Sequence, residues 1–421
     1  MRADLSPHDD EWGGDIPSSG LQDFITRSSA IGWRSALSEV AGERPFFAHR
    51  VRNLPLGNWH LLRALPRESS ALDLGCGFGS LALGLGDHYR FVVGLDALWT
   101  RVSYGHLRAL EDNSFGIGFV QGNGLALPFR DGRFNLVTMN GVLEWAWLYA
   151  PEAARAPQVA MLRETRRVLT PNGTVAVAIE NRFAMETLTG MPDTHTRLRF
   201  VPALPRRAAS LLSRALRHEP YRTLLHSAAG YRHLLKDAGY PRVRILDLIS
   251  SYNDYDFVVD PGDAATYRLL WDLGLVRTFS TRAGNVRRSI SRRWPKTLGA
   301  FAYAYLVLGG NDVATVLDAG HRFWKRAANY GASAGVSRFA CQSPSVGALT
   351  IVAHDGKRVV SALELSTGAA SLAGGGSPLS ERLREKLAWN AEPVAQWEDG
   401  GVTVRCVNAS SVMWPAAQLR P

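Results

Sequence analysis

The sequence predicts an α/β fold: a doubly wound, mostly parallel sheet with helices on both faces. Three observations predict it. Short apolar runs alternate with stretches of helical period from residue 70 onward, the pattern of strand–helix–strand units. A glycine-rich turn directly follows the first run. Runs such as Val175–Ile179 are apolar at consecutive positions, which suits strands buried on both faces.

Residues 1 to about 20 are polar and rich in Gly, Pro, Ser and acids, so no fixed structure is expected there. Residues 21–69 read as a helical lead-in with aromatics at Trp33, Phe46, Phe47 and Trp59, punctuated by Pro55 and Pro66. Then come a strand at Ser70–Leu74, a turn at Gly75–Gly79 and a helix opening at Ser80–Leu85. Phe91–Leu95 is a second strand closed by Asp96, and Thr100–Glu111 a helix. Ile117–Val120 and Phe134–Met139 are the third and fourth strands. Val159–Leu169 has apolar residues at helical spacing. After the turn Pro171–Gly173, Thr174–Ile179 is the fifth strand.

The rhythm then breaks. Residues 183–226 hold several prolines and many arginines, too long for a simple connection. This segment is read as an insertion folding over the site. It is followed by a helix at Ser227–Ala238 and a strand at Val243–Ile249. A second insertion, 252–297, precedes a buried strand at Phe301–Leu308. Residues 70–310 are taken as one domain and 311–421 as a C-terminal extension. The extension has strand-like pieces at Leu349–Val352 and Val402–Val404, and a low-complexity loop at Ser366–Ser377.

The 421 residues are 46% hydrophobic and 20% charged, with a net charge of +10. That balance is globular, and the basic excess favours acidic partners. Cys76, Cys341 and Cys406 are far apart and match no metal-ligand spacing, so neither a disulfide framework nor a metal centre is expected. No signal-peptide pattern opens the chain, and the apolar run Leu298–Leu308 is too short to span a bilayer. A cytoplasmic protein is expected, with membrane-peripheral association left open.

The strongest chemical signal is Leu72-Asp73-Leu74-Gly75-Cys76-Gly77-Phe78-Gly79. Glycines at alternate positions let the backbone approach a ligand and adopt positive φ. The helix that follows aims its N–H groups at the same place. The spacing is G-x-G-x-G rather than the G-x-G-x-x-G that seats a pyrophosphate. Asp96 ends the next strand, where a carboxylate can accept from both hydroxyls of a ribose.

In their order and spacing, LDLGCGFG, VVGLD, GNGLALPF, FNLVTMNGVLEW and PNGTVAVAIEN resemble the class I S-adenosylmethionine-dependent methyltransferases. The resemblance covers residues 70–182 strongly and reaches weakly to about 250. It implies a Rossmann-like, seven-stranded sheet with S-adenosyl-L-methionine as cofactor. By the same resemblance Asp73, Gly75, Cys76, Gly77 and Gly79 face the methionine part, and Asp96 with Ala97 the ribose. Asn123 contacts the adenine amino group, with Gly124 and Leu125 beside the ring. Asn140, Gly141 and Val142 line the reacting methyl. The family usually has Asp at the Asn123 position; an Asn carbonyl can still accept from adenine. It often has Asp at the Asn135 position, which is structural. NGVLEW, IENRF and Gly190–Thr196 further resemble a branch found alongside glycosyltransferases in surface-polysaccharide pathways.

Methyl transfer to a hydroxyl benefits from a base. His195 is the candidate, with Asp193 or Glu180 to orient it, because imidazole titrates near neutrality. Glu144 is the second candidate. Trp145 and Trp147 are read as core, with stacking on a sugar or base as the alternative. Arg197, Arg199, Arg206, Arg207, Arg214, Arg217 and Arg222 crowd one segment, and Arg287, Arg288, Arg292 and Arg293 another. They read either as solvated faces or as contacts to phosphate or an anionic membrane surface.

The partner predicted is a small-molecule or phosphoglycan acceptor, methylated on oxygen. Two alternatives stand beside it: an RNA methyltransferase using the basic surface, and a non-catalytic binding protein. Nucleic acid is disfavoured by the lack of an RRM signature or an Asn-Pro-Pro-aromatic motif. The intact glycine turn and Asp96 argue against a non-catalytic role.

Overall fold

The computed structural model describes residues 18–52, 65, 68–86, 89–149, 155–249, 251–253, 255, 257–261, 281–293 and 295–315, plus six strands beyond them. Expectations for residues 1–17, for Trp59, Pro55 and Pro66, and for the loop after Thr367 lie outside the described residues.

The sheet's parallel half is β1 (Ser70–Leu74), β2 (Phe91–Asp96), β3 (Ile117–Gln121), β4 (Phe134–Asn140) and β5 (Leu169–Glu180). β1 lies between β2 and β4, β2 pairs with β3, and β4 with β5, all parallel. The other half is β6 (Arg242–Ile249), β7 (Phe257–Val259) and β8 (Ala304–Gly310). β8 slots antiparallel between β5 and β6, and β7 flanks β6. The order is therefore β7-β6-β8-β5-β4-β1-β2-β3. The chain reverses direction across the sheet between β1 and β4, the position where a ligand crevice opens at the strands' carboxyl ends.

Three expectations about the sheet need correction. It has more than seven strands: β7 arises inside the second predicted insertion. Beyond β7 lie β9 (Phe323–Lys325), β10 (Arg338–Gln342), β11 (Ala348–Asp355), β12 (Arg358–Thr367), β13 (Gln396–Asp399) and β14 (Val402–Asn408). The buried strand expected at Phe301–Leu308 begins later, because Pro295–Phe301 forms a 3-10 turn first. Proline opens that turn, and Ala304 then pairs with Glu180. The turn expected at Pro171–Gly173 lies within β5, where pairing with β4 shifts register between Phe134 and Leu136.

The lead-in forms three helices, α1 (Ser18–Ile31), α2 (Trp33–Val40) and α3 (Pro45–Arg52), so residues 18–20 are helical rather than unstructured. Their apolar faces meet at Leu21, Phe24, Trp33, Leu37, Phe47 and Val51 and close on Phe78 of the glycine turn. Phe47 packs edge-on against Phe78, ring centres 4.9 Å apart. α4 (Ser80–Gly86) and α5 (Trp99–Glu111) complete this face.

The most buried tie here is Arg108 on α5. Its guanidinium donates to the Phe78 carbonyl at 2.6 Å, to Ser80 Oγ at 3.2 Å and to the Val51 carbonyl at 2.8 Å. The first and last acceptors join the glycine turn to α3. Burial pulls the Arg108 pKa down to about 10, which still leaves it charged at neutral pH.

On the opposite face, α6 (Ala156–Val168) and α9 (Ala228–Asp237) cover β4, β5 and β8. Ser227 caps α9, accepting from the Gly230 N–H. Between them the first insertion carries α7 (Met185–Leu188) and α8 (Arg206–Arg217). On α8, Ala209 and Ser213 are buried and Leu212 is half-buried, whereas Leu211 is 67% exposed and Leu216 57%. α10 (Thr281–Arg293) lies in the second insertion. Its Arg287 is buried and pairs with Glu186 of α7 at 2.8 Å, so this arginine is an internal tie. The side chains of Arg288, Arg292 and Arg293 lie outside the described ones. Among the described residues no helix is long and apolar enough to cross a membrane.

Removing the Arg108 guanidinium strands two buried carbonyls, each worth about 1–3 kcal/mol. Arg108→Ala is expected to lower stability by about 3 kcal/mol. Chemical denaturation of the two chains side by side measures it.

Candidate active site

The carboxyl ends of β1–β5 line one edge of the sheet, and the site is built along it. In the glycine turn, Gly75, Gly77 and Gly79 have φ of 74°, 54° and 82°, values that L side chains resist. A Cβ on Gly75 would lie 2.4 Å from Val142 Cγ2, and one on Gly79 2.8 Å from the Phe119 ring. A Cβ on Gly77 would meet nothing within 4 Å. The outer two glycines are thus required by close packing, whereas the middle one faces open space.

The turn is strapped to the tip of β2. The Leu95 carbonyl accepts from the N–H of Gly75 at 2.7 Å and of Cys76 at 3.0 Å. Asp96 Oδ2 accepts from the Gly77 N–H at 2.9 Å, and Oδ1 from the Leu98 N–H at 3.0 Å. Asp96 therefore secures the turn and the entrance to α5, and each oxygen keeps a second lone pair for a ligand. Arg101 stands 3.9 Å from it. Ala97 lies beside it, its carbonyl accepting from Gln121 Nε2.

Asp73 is buried in β1. Its Oδ1 accepts from Thr138 Oγ1 at 2.9 Å, while Oδ2 is buried with no partner. Burial raises its pKa to about 7 against the opposing pull of Thr138. At the β4 tip Asn140 Nδ2 donates to Asn253 Oδ1 at 3.0 Å, and Asn140 Oδ1 is buried without a partner. Gly141 has φ 65°, and a Cβ there would lie 2.8 Å from the Tyr252 ring. Two orphaned acceptors and one glycine facing open space make a cradle that fits an adenosine-bearing cation.

Asn123 shapes the turn at the end of β3 and keeps a second lone pair on its side-chain oxygen. Its carbonyl already accepts from the Leu125 N–H at 2.9 Å, in a turn closed by Ala126 N–H to the Asn123 carbonyl. Short polar side chains favour this local bond over an outward one. Gly124 is buried against Met161, and Leu125 packs on the core. Asn135 is structural, its Oδ1 accepting from the Ser70 N–H.

A second group gathers beside the tips of β4 and β5. Glu144 sits in a 3-10 turn at Leu143–Tyr149, fully buried, with no partner on either carboxylate oxygen. Burial raises its pKa to about 8, partly countered by nearby His195. Trp145 is buried with its ring edge-on to His195, centres 4.8 Å apart. His195 Nε2 stands 3.5 Å from Glu180 Oε2, an ion-pair contact at the outer limit of hydrogen bonding. Thr194 and Tyr303 both donate to Glu180 Oε1 at 3.3 Å.

Burial works against a charged His195, but Glu180, then Asp193 and Glu144, outweigh it and hold the pKa at about 9. The expected near-neutral titration is therefore corrected: contact with Glu180 above all keeps this imidazole protonated at pH 7. Of the two acids expected beside His195, Glu180 is the one in contact. Asp193 Oδ2 accepts from the Thr196 N–H at 2.7 Å and Thr196 Oγ1 at 2.8 Å. It shapes the loop that presents His195. Asp193 is itself raised by burial.

Tyr252 and Asn253 were not among the predicted residues. They follow β6, whose end lies at the same edge as β5 because β8 runs antiparallel between them. Tyr252 reaches Gly141, and Asn253 reaches Asn140. The signal was there in principle: a polar, aromatic stretch directly after a strand ending at the carboxyl edge. Trp147's side chain lies outside the described ones.

Part of the chain is similar to known methyltransferases. Residues 72–177 match the family model described as "Methyltransferase domain", and they form a class I S-adenosylmethionine-dependent methyltransferase domain, whose cofactor is S-adenosylmethionine. A demethylmenaquinone methyltransferase of Lactococcus lactis subsp. lactis (strain IL1403) is 34% identical over 114 residues, 26% of this chain. The match spans about two fifths (41%) of that relative's length. Among solved structures, a chain from the complex of the Haloferax volcanii Trm112 methyltransferase activator with a methyltransferase is 20% identical. It covers 65% of this chain and 98% of its own, with a TM-score of 0.38. A SAM-dependent methyltransferase from Aquifex aeolicus is 14% identical, covering 47% and 81%, with a TM-score of 0.29.

Glu144 offers a stability test. Its folded pKa, about 8, lies above the unfolded value near 4.5. Between these values the unfolded chain has released the proton and the folded chain retains it, so stability falls as pH rises. Above pH 8 the loss levels off. Glu144→Gln removes this loss, and should gain roughly 2–4 kcal/mol over the native chain by pH 8.5 but little at pH 4.5. Urea unfolding at the two pH values reads the difference.

Proposed function

We propose that the protein transfers a methyl group from S-adenosylmethionine to a hydroxyl oxygen of a small-molecule or glycan acceptor, with His195 as general base. The observation that carries this reading is the His195–Glu180 pair beside the tip of β4, next to the cradle of Asp73, Gly77, Asp96 and Asn140. In this reading Asp73 and the glycine turn hold the amino-acid end of the cofactor, and Asp96 the ribose. Gly124 and Leu125 flank the adenine, and Gly141 and Val142 the sulfur side. Bound there, S-adenosylmethionine supplies a methyl activated by its positive sulfur.

The chain's own residues must exclude water, align the acceptor and take one proton. Tyr252 packs over Gly141 at the tip of β4, and Trp145 packs edge-on against His195. Neutral His195 accepts the acceptor's hydroxyl proton at Nδ1, and Glu180, 3.5 Å from Nε2 on the other side of the ring, stabilises the resulting imidazolium. Tyr303 and Thr194 hold Glu180 in place. Asp193 keeps the loop in register through Thr196. The string Gly190–Thr196 that contains His195 is also the one that resembles the glycan-associated branch, which favours a sugar hydroxyl as acceptor.

Because the base must first lose a proton held at about 9, turnover is expected to rise with pH and level off above that value. His195→Ala should abolish this limb and cut turnover by roughly 10²–10⁴-fold, with affinity for S-adenosylhomocysteine unchanged. Unaltered turnover would remove His195 from the chemistry.

Gly77→Ala tests the cradle. It is expected to cost only about 1 kcal/mol of stability, since a left-handed alanine is mildly strained and meets no neighbour. It should nevertheless weaken S-adenosylhomocysteine at least tenfold by calorimetry. Full retention of affinity would locate the cofactor elsewhere.

A further inference from the structure

A cavity of about 280 Å³ opens on His195. Trp145 and His195 line it together with Arg197, Arg217, Glu219 and Arg222. Arg222 pairs with Glu219, and its side chain is only 12% exposed. That pair accounts for the cavity's one acid. Arg197 and Arg217 have no acidic partner among the described residues. Two guanidinium groups without an acidic partner therefore line the same space as His195, whose own charge Glu180 balances, and the one carboxylate that lines it is already engaged.

Like charges lining one cavity repel unless an anion lies between them. The backbone adds to the cost: Arg197 is held at φ 60°, a left-handed conformation that disfavours side chains by about 1–2 kcal/mol. The Asp193–Thr196 turn holds it there, with the Arg197 N–H donating to the Asp193 carbonyl at 2.9 Å. Arg217 has a partial local reason for its place, since a cation in a helix's last turn is favourable. Arg197 has none. Strain that persists at one charged residue beside a candidate base is a mark of a functional site.

We propose that this cavity binds a phosphate group carried by the acceptor, held by Arg197 and Arg217 and bordered by the Arg222–Glu219 pair. The inference rests on the reading of His195 as the base: with phosphate at the arginines, a hydroxyl elsewhere on the same molecule reaches the imidazole along the Trp145 wall. Guanidinium forks match phosphate oxygens two at a time. The volume lies near the lower end of small-molecule sites, which suits a sugar phosphate and not a folded macromolecule. The phosphate belongs either to a soluble phosphomonoester or to a lipid-linked headgroup.

The test uses the full chain and Arg197→Gln/Arg217→Gln, both exposed positions. Ribose 5-phosphate is titrated calorimetrically, with ribose as the uncharged control. In a second arm, phosphatidylcholine vesicles containing phosphatidic acid are sedimented with the protein. S-adenosylhomocysteine is titrated separately. Saturable ribose 5-phosphate binding, weakened at least tenfold by the double substitution and absent for ribose, supports the soluble source. Arginine-dependent binding to the vesicles alone supports the lipid source. If neither arm depends on the two arginines, the phosphate site is overturned, even where S-adenosylhomocysteine binds normally. Loss of S-adenosylhomocysteine binding by the native chain would instead overturn the methyl-transfer reading, and the phosphate titration would still report on the cavity.

Discussion

The structure depends on how the backbone of Gly75–Gly79 is held at the end of β1. Three residues there occupy the left-handed region, which only glycine enters without strain. The turn is held from both sides. The Leu95 carbonyl and Asp96 take its N–H groups on one side, and Arg108 takes its Phe78 carbonyl on the other. The same guanidinium reaches the Val51 carbonyl. The N-terminal helices are thereby anchored to the loop that faces the cofactor, and their aromatic core closes on Phe78. An uncompensated buried charge costs several kcal/mol. Three hydrogen bonds and the Trp33 face, 4.7 Å from the guanidinium carbon, offset that cost.

The carboxyl edge divides into two halves with different electrostatics. On the β1–β4 side, buried acceptors without partners, Asp73 Oδ2 and Asn140 Oδ1, await a donor or a cation. On the β4–β5 side, Glu144, Glu180 and Asp193 surround His195. Desolvation favours the neutral form of each isolated carboxyl, and it raises Asp73, Glu144 and Asp193 alike. His195 moves up instead of down because the combined attraction of its acidic neighbours exceeds its own burial penalty. Tyr252 and Asn253 reach the tip of β4 from the end of β6.

The first insertion does more than cover the sheet. Its loop carries Arg197 and Phe200 in left-handed conformations, each costing about 1–2 kcal/mol. The Asp193–Thr196 hydrogen bonds and the Leu198 carbonyl, which accepts from the Asp193 N–H, stabilise that shape. The insertion thus brings a histidine to Glu180 and arginines to the cavity beyond it. The second insertion brings Tyr252 and Asn253 to Gly141 and Asn140 at its start and packs through the Arg287–Glu186 pair near its end.

The sequence by itself determined the parallel half of the sheet, the glycine turn and the acid at the end of β2. These features are local: apolar runs, glycines at fixed offsets and a strand-end carboxylate are decided by neighbours in the chain. It also brought out His195, Glu144 and the arginine-rich insertion as residue types of interest. Tertiary structure alone decided what those residues do. Glu180 touches His195 and Asp193 does not; Asn123 turns its carbonyl inward to Leu125; Arg287 is an internal tie while Arg197 lines a cavity. Those outcomes depend on contacts between residues far apart in the chain, and on burial, which sets whether a charge is paired, neutralised or left facing solvent. The extra strand β7 and the late start of β8 escaped for a similar reason. A short apolar run acquires strand geometry only when a neighbouring strand supplies its hydrogen bonds.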